Sequence, residues 1–322
     1  MKKHKGRLLL SGFFITAILT RTVVGRFSEA NWFTYQMVHN AILAFVPLSL
    51  LFLTIALIRK KDRILCLALV VAIWFIFADP ALRFPLGYRE ERDFRILSYN
   101  IAHGDISLPG VIEDIRKVNA DIVCLQEAGK GDKERAAWAQ SIAAELGYQS
   151  VQKSNNAVLS RFPMRLEHTI NAPTKWPTKE FPEVVITTPK GDVRLVSVHM
   201  EPSWVGGLPP RLDGFIPTIN KVVKDRRAQA EQLLERVRMS KEPILLVGDF
   251  NGPPYTEIPR KLDKELIDTF AEVGVGCGMT LLASLPYQRI DYAYAKGLTP
   301  TRAEVISSGA SDHQPVVFEY RF

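Results

Sequence analysis

The sequence predicts an α/β domain of layered sheets and helices, preceded by a hydrophobic amino-terminal region. From Phe94 onward, short apolar runs alternate with stretches of helical periodicity, which is the pattern of layered α and β architectures. Charge divides the chain at nearly the same place. Residues 1–92 hold 13 Lys and Arg against 5 Asp and Glu, whereas residues 93–322 hold 28 against 29. We therefore expect two domains, at 1–92 and 93–322.

The amino-terminal region contains three apolar runs, at about 8–25, 41–58 and 64–80. A helix needs about 20 apolar residues to cross the hydrocarbon of a bilayer, so these runs predict three transmembrane helices. The basic clusters KKHKGR and RKKDR lie where cytoplasmic segments would be. This predicts a multi-pass protein of the cell membrane with a cytoplasmic amino terminus and an extracytoplasmic polar domain. Buried helices, or a cleaved signal peptide in the first run, are the alternatives.

The polar domain contains eight strand candidates and three helix candidates. Short apolar runs bounded by turn residues are typical of strands, whereas the helix candidates place apolar residues with a period near 3.6. The predicted helices cover residues 108–118, 133–146 and 217–239. The predicted strands are FRILSYNI, DIVCLQEA, NAVLSRF, EVVITTP, DVRLVSVHM, PILLVGDF, IDYAYA and PVVFEYRF.

The run ILLVGDFNGPP, from Ile244 to Pro254, predicts a buried strand that ends in a carboxylate and a carboxamide. Positions two apart in a strand project to the same side, so Asp249 and Asn251 are expected to converge above the sheet edge. Asp, Asn, Gly and Pro are also the ordinary residues of a turn that follows a strand. This run therefore leaves a functional site and a plain turn equally open.

Other polar residues also stand at the ends of apolar runs. Polar groups that stand at the ends of several strands in this way would lie together at one edge of a layered fold. Several buried carboxylates repel one another unless a cation or a histidine compensates their charge. The cluster therefore indicates a site that holds a cation. Its further members are Asn100, Glu127, His199, Asp291, Asp312 and His313.

Six motifs, SYN, LQE, SVH, GDFN, RIDY and SDHQPV, stand in the order found in the endonuclease/exonuclease/phosphatase superfamily, which the chain from Phe94 to Phe322 resembles. Deoxyribonuclease I and the neutral sphingomyelinases are members of this superfamily. The resemblance implies a four-layered αββα sandwich. It also implies a divalent-metal phosphohydrolase site at one end of two packed sheets.

The resemblance also implies roles for the metal-binding residues. Glu127 is expected to bind Mg²⁺, or Mn²⁺ or Ca²⁺ in its place, and Asn100 to supply an amide oxygen nearby. Asp312 completes the metal shell or holds a second metal.

The remaining roles belong to the phosphoryl transfer itself. Asp249 is expected to orient and deprotonate the attacking water, and Asn251 to hold water or a phosphate oxygen. His313, paired with Asp291, would stay protonated and stabilise the pentacoordinate phosphorus. His199 would donate to another phosphate oxygen.

Two further residues are weaker candidates for binding the substrate. His103, in NIAHGD, either reaches the substrate or only caps a loop. Arg161, in NAVLSRFP, matches a recurring strand end of the superfamily, and structural pairing is the alternative for it. These two segments span residues 100–105 and 156–163.

The implied function is divalent-metal-dependent hydrolysis of a phosphoester, by phosphodiesterase or phosphatase action. The residues that follow the apolar runs are tethered close to a bilayer if those runs are membrane-embedded, which favours a membrane-associated, lipid or lipid-linked substrate. A nuclease needs a basic groove, and the counts of 28 basic and 29 acidic residues in 93–322 do not favour one. An extracellular membrane-tethered nuclease and an inactive membrane-anchored binding module are the alternatives.

Overall fold

The structure is a computed structural model that describes residues 26–30, 42–77, 91–129, 132–174, 179–202, 212–284 and 286–322. Contacts between residues place the two sheets and most of the residues that flank them in one compact unit. Residues 42–77, 212–223 and 252–260 belong to a second unit. The expected domain boundary between residues 92 and 93 stays a prediction.

Two helices that contact each other form the amino-terminal part of the second unit, α1 (Ile42–Ile58) and α2 (Arg63–Phe77). The described parts of these helices have 17 and 15 residues. Within the described ranges, none of the helices combines the length and the apolar composition that a membrane crossing requires. This differs from the spans predicted at 41–58 and 64–80, while the span predicted at 8–25 lies outside the described residues.

The first unit contains two sheets. Seven strands form the first sheet, in the spatial order β10 (Gly274–Val275), β12 (Thr299–Val305), β13 (Val316–Arg321), β1 (Phe94–Asn100), β2 (Ile122–Gln126), β4 (Asn156–Ser160) and β3 (Gln149–Lys153). Six strands form the second sheet, in the order β5 (Met164–Asn171), β6 (Glu180–Thr188), β7 (Gly191–His199), β8 (Ile244–Asp249), β11 (Asp291–Lys296) and β9 (Ile267–Asp268).

The central strands of each sheet run parallel to one neighbour. In the first sheet β1 pairs with β2 in parallel, and in the second sheet β7 pairs with β8 in parallel. Their carboxyl ends therefore lie at the same rim of each sheet, where the chain leaves the strands and can present polar side chains.

The main hydrophobic core lies between the two sheets. Alternate residues of each strand point into it, as the period of two requires. Phe94 and Ile96 of β1 are buried there with Leu245 and Val247 of β8. The intervening residues of β1, among them Leu97, face the opposite side and join a second apolar cluster.

That second cluster is made with two helices, α3 (Leu108–Val118) and α4 (Asp132–Leu146). They cover the outer face of the first sheet. Helix α5 (Leu212–Met239) covers the outer face of the second sheet through its carboxyl-terminal half, where Arg236 donates to Glu183 of β6 at 2.7 Å. Two short helices, α6 (Glu257–Leu262) and α7 (Thr269–Val273), lie in later connections. The layers follow the order helix, sheet, sheet, helix, as the resemblance implies.

All eight predicted strands and all three predicted helices of this part of the chain are present, with small shifts at their ends. The sequence did not predict β3, β5, β9, β10 and β12. Strands β3 and β5 lie at the edges of their sheets, and their side chains are mostly exposed or half-buried. Edge strands need no continuous apolar run, so this pattern carries no signal for them.

Candidate active site

Three polar residues stand side by side on neighbouring strands of the second sheet. His199 at the end of β7 is in register with Asp249 at the end of β8, and Asp249 is in register with Asp291 at the start of β11. All three occupy the inward-facing positions of their strands. Asn100, at the end of β1, reaches the same rim from the opposite sheet, because its Nδ2 lies 3.1 Å from Oδ2 of Asp249.

The backbone of β8 needs a glycine directly before this carboxylate. Gly248 has φ of 143°, and a Cβ at this position would lie 1.9 Å from the carbonyl oxygen of Val198 on β7. No L side chain fits a left-handed residue in such close contact with a neighbouring strand. Gly248 therefore lets β7 and β8 approach closely where they deliver His199 and Asp249 to the rim.

Asp249 is the centre of the cluster. Its side chain is 1% exposed, and it accepts hydrogen bonds from the backbone and side chain of Asn251 at 2.7 and 3.2 Å in addition to the bond from Asn100. The Asn251 Nδ2 also donates to the carbonyl of Met200 at 3.1 Å. The expected convergence of Asp249 and Asn251 is therefore present, and Asn251 adopts a left-handed φ of 51° to make these bonds.

The proton affinity of Asp249 differs from that of an ordinary aspartate. Burial and the neighbouring charge of Asp291 raise its pKa to about 7, although His313 and the hydrogen bonds from Asn251 and Asn100 act in the opposite direction. A carboxylate with this pKa can accept a proton near neutral pH. This is the property that a group activating a water molecule requires.

Asp291 and His313 form a buried pair. Nδ1 of His313 donates to Oδ2 of Asp291 at 2.9 Å, and its Nε2 lies 4.0 Å from Oδ2 of Asp249. Burial opposes the charge on this imidazole, but the charge and hydrogen bond of Asp291, with the charge of Asp249, raise the pKa of His313 to about 10. His313 is therefore a cation at neutral pH, as expected from the sequence.

Glu127 and His199 lie on the other side of Asp249. Oε1 of Glu127 is 3.4 Å from Nδ2 of Asn100 and 3.6 Å from Nε2 of His199. Burial, with the nearby charge of Lys179, lowers the pKa of His199 well below its ordinary value, so this imidazole is neutral. Its Nδ1 accepts from the amide of Asn155 at 3.3 Å, which leaves the proton on Nε2, facing the carboxylates.

The donor set suits a divalent cation. Carboxylate oxygens of Asp249 and Asp291 lie within 4.8 Å of each other and of a ring nitrogen of His313. The protonated His313 ring has no free lone pair, so the oxygen atoms are the available metal ligands here. Oδ1 of Asp291 is buried and has no hydrogen-bond partner among the described residues. The Glu127 carboxylate and the Asn100 carboxamide add further oxygen atoms, the ligand type that hard cations prefer. Buried carboxylates so close together need positive charge, and a cation here would supply it.

Asp312 and Arg161 do not share the burial of this cluster. Asp312 is exposed beside His313, and its charge helps to raise the pKa of that histidine. Arg161 follows the end of β4 that pairs with the start of β2, at the rim opposite to the site, and its guanidinium stacks on the ring of Tyr148 at 4.9 Å. The structure therefore does not bring Arg161 to the cluster, because β4 runs antiparallel to β2 and ends at the other rim. A role of Arg161 in substrate binding stays a prediction.

His103 does reach the site. Its Nε2 lies 3.2 Å from Oε2 of Glu127, and its Nδ1 lies 3.1 Å from the carbonyl of Gly129. The sequence left open whether this residue reaches the substrate or caps a loop, and the geometry places it against the expected metal ligand.

The sequence did not predict that a buried lysine lies beside the site. Nζ of Lys179 donates at 2.7 Å to the Met200 carbonyl, which also accepts from Asn251. Burial lowers the pKa of Lys179 to about 8, although the charges of Glu201, Asp249 and others partly offset this effect. Lysines are rarely buried, so one that precedes a strand carries no signal in the sequence. Only the folded chain shows this positive charge beneath the carboxylates.

Comparisons with known proteins agree with this geometry. Similar solved structures include an endonuclease/exonuclease/phosphatase from Beutenbergia cavernae, at 19% identity and TM-score 0.52, covering 72% of each chain. A humanized TDP2 from D. rerio aligns at 15% identity and TM-score 0.55, over 71% of this chain and 99% of that one. A mannosyl-6-phosphatase from Bacteroides thetaiotaomicron aligns at 17% and 0.51, over 71% and 100%. At these identities the likeness establishes the fold.

A comparison with curated protein sequences finds no significant match. The sequence model of the Endonuclease/Exonuclease/phosphatase family matches residues 97–313. Members of this family are mostly metal-dependent hydrolases of phosphoesters. Because the match extends over more than half of the chain and includes every member of the cluster around Asp249, the chain belongs to the endonuclease/exonuclease/phosphatase family.

Proposed function

We propose that this protein hydrolyses a phosphoester bond with the help of a divalent cation, Mg²⁺ or alternatively Mn²⁺ or Ca²⁺. The observation that carries the proposal is the environment of Asp249. This buried carboxylate, whose pKa is raised to about 7, is held by two carboxamides and lies 4.0 Å from an imidazolium nitrogen of His313. A base and a positive charge thus face the same small space.

Asp249 has the position and the proton affinity to activate water. In its ionised form it accepts a proton from a water molecule while the water oxygen bonds to phosphorus and the bond from phosphorus to the leaving oxygen breaks. Asn251 and Asn100 hold the carboxylate in place through their hydrogen bonds of 3.2 and 3.1 Å. A base fixed in this way contributes on the order of 10² to 10⁴ in rate.

Two imidazoles stabilise the charge that develops on the phosphoryl oxygens. His313 is a cation held by Asp291 at 2.9 Å, and its Nε2 is available to donate. His199 is neutral and presents its Nε2 proton beside Glu127. Donors that are fixed before the reaction cost little reorganisation in the transition state.

Glu127, with the carboxamide oxygen of Asn100, would hold the cation, and Asp312 stays a proposed additional ligand. When bound, the cation supplies charge neutralisation at the phosphoryl group. The side chain of Glu127 is 26% exposed, so a cation from solvent can reach it.

The proposed substrate is a membrane-associated or extracytoplasmic phosphoester, such as the phosphoester of a lipid or of a lipid-linked molecule. The near balance of charge in residues 93–322 offers little attraction to a nucleic acid backbone. Helices α1 and α2 expose several large apolar side chains, which favours contact with an apolar environment such as a bilayer. These side chains are Leu50, Leu51, Leu57, Ile58, Ile64 and Val71.

Activity on defined substrates tests the proposal. The purified full-length chain with Mg²⁺ is assayed against phospholipid vesicles, a lipid pyrophosphate and single- and double-stranded DNA. Asp249→Asn and His313→Gln serve as inactive variants, and His168→Gln, at an exposed position on β5, serves as the matched control. We expect the lipid substrates to be cleaved by the wild type and by the control.

Each other result selects an alternative. Cleavage of DNA alone makes the protein a nuclease. Failure to cleave any substrate in this panel, or equal cleavage by all variants, removes the support for hydrolysis at this site and favours a binding module.

We also propose that residues 1–92 attach the protein to the cell membrane, with the amino terminus cytoplasmic and the catalytic domain extracytoplasmic. The test is a reporter enzyme fused after Phe322, which we expect to be active only outside the cytoplasm. A fusion active inside the cytoplasm would overturn this topology without affecting the chemistry.

A further inference from the structure

The loop that follows β1 has an unusual backbone. Ala102, His103 and Gly104 are consecutive left-handed residues, with φ of 46°, 53° and 63°. This conformation is disfavoured for alanine and tolerated somewhat better by histidine. Non-glycine residues in such conformations are concentrated at functional sites, where the surrounding structure holds them.

Contacts on both sides hold this loop. A Cβ on Gly104 would lie 2.3 Å from the ring of Trp138 on α4, so the indole covers the loop closely. The backbone N–H of His103 donates to the carbonyl of Glu127 at 3.0 Å, and the N–H of Ala102 donates to Oδ1 of Asn100 at 3.1 Å. The loop is therefore fixed to both residues that are expected to bind the metal.

The hydrogen bonds of His103 determine its tautomer. Nδ1 lies 3.1 Å from the backbone carbonyl of Gly129, and a carbonyl can only accept, so the proton is on Nδ1. In a neutral imidazole the other nitrogen, Nε2, then carries a lone pair. This lone pair faces Oε2 of Glu127 at 3.2 Å, which is also an acceptor.

Two acceptors at this distance need a positive charge that both can share. A cation that binds Nε2 and the carboxylate would provide it, and an Nδ1–H donated to a backbone carbonyl is the usual support of a metal-binding histidine. Side-chain exposures of 35% for His103 and 26% for Glu127 leave both atoms accessible from solvent. The competing arrangement is an imidazolium of His103 that forms an ion pair with Glu127.

We infer that Nε2 of His103 is a ligand of the divalent cation that Glu127 binds, and that the site therefore contains one nitrogen ligand. This inference rests on the metal site of the proposed function and deepens it. Imidazole binds transition metals far better than Mg²⁺, which prefers oxygen. The site should accordingly favour Mn²⁺ over Mg²⁺ to a degree that depends on His103.

Two substitutions at this position separate the atoms of the imidazole. In His103→Asn the side-chain amide replaces Nδ1, tolerates the left-handed backbone and has no atom at the place of Nε2. In His103→Gln an amide oxygen can reach that place. His168→Gln, far along the chain on the exposed strand β5, removes a histidine that lies outside the cluster and serves as the control.

Electron spin-echo spectroscopy of bound Mn²⁺ reports nitrogen ligation without any assay of activity. We expect ¹⁴N modulation from the wild type and from His168→Gln, and its loss in both His103 variants. Titration calorimetry should show Mn²⁺ affinity about tenfold weaker in both variants. Mg²⁺ affinity should stay within about threefold in His103→Gln, because oxygen replaces nitrogen, and should weaken further in His103→Asn.

Unchanged ¹⁴N modulation in the two His103 variants overturns the inference, since the signal then comes from another imidazole. Absence of modulation in the wild type overturns it as well and favours the ion pair. A variant that fails to fold is recognised by its circular dichroism, and the other variant then decides. If nitrogen ligation is found but no phosphoester is cleaved, the inference stands while the proposed function fails.

Discussion

The two halves of the rim contrast in their burial. On one half, Asp249 and Asp291 of the second sheet and His313, from the loop before β13, are buried, with side-chain exposures of 1%, 1% and 7%. On the loops that follow the first sheet, Glu127 and His103 keep about a quarter to a third of their side-chain surface exposed. Burial strengthens the interaction between charges and changes their proton affinity, whereas partial exposure allows an ion to enter and leave. The contrast indicates proton transfer on one half and cation binding on the other.

The largest effect is expected from the buried base. Asp249→Asn keeps the shape and removes the proton acceptor, so kcat should fall on the order of 10³-fold, while Mn²⁺ affinity measured by calorimetry changes only a few-fold. A tenfold or smaller loss of kcat would assign the base elsewhere. An equal loss of metal affinity would show that the two halves do not have separate functions.

His313→Gln should reduce kcat by about a hundredfold. Its imidazolium is one preorganised donor, and removing one such donor costs roughly 3 kcal/mol in the transition state. Steady-state kinetics at saturating substrate measure this loss. Asp291→Asn, which removes the negative charge 2.9 Å from the ring, should show a smaller loss in the same direction, and a full rate in both variants would contradict the role.

Metal binding should stabilise the fold through Glu127. A cation present at 100 times its dissociation constant adds about 2.7 kcal/mol to the free energy of unfolding. Urea denaturation with and without Mn²⁺ measures this gain, which we expect to disappear in Glu127→Gln at the same Mn²⁺ concentration. If the variant keeps the gain, the cation is held by the buried half instead.

The buried half should give the metal-free protein a characteristic pH dependence. Despite the opposing effect of burial, Asp291 raises the pKa of His313 from 6.5 to about 10. The stabilising contribution of the protonated ring is complete below pH 6.5 and is lost as the pH rises towards 10, because the unfolded chain releases that proton earlier. The melting temperature should therefore decrease across this range, and the decrease should be weaker in His313→Gln. An identical decrease in the variant would exclude this histidine as its source.

The smallest effect is expected at the opposite rim. Arg161 stacks on Tyr148 at 4.9 Å far along β4 from the site, so Arg161→Ala should leave kcat and KM within about twofold. A loss of tenfold or more in kcat/KM would contradict this placement. The same variant is a suitable control for each of the experiments on the site.

The polar residues at the rim were predictable because the side of a strand on which a side chain lies depends only on its position within that strand. Asn100 and Asp249 end apolar runs and Asp291 begins one, all at inward-facing positions, and the motif order identified the family. In the amino-terminal region, hydropathy located two helices, α1 and α2, in the second and third apolar runs. None of the described helices meets the requirements of a membrane crossing, and attachment to a membrane stays a prediction.

What the sequence by itself determined is the periodic information, namely which residues of each strand face inward and which polar side chains end a strand. Tertiary structure alone decided which of those ends share a rim, so Arg161 lies away from the site while Lys179 and His103 lie within reach of its carboxylates. The physical reason is that these two kinds of property depend on residues at different separations along the chain. The alternation of side chains is set within one strand, whereas pKa shifts and cation sites depend on charges that meet only when strands distant in sequence pack together.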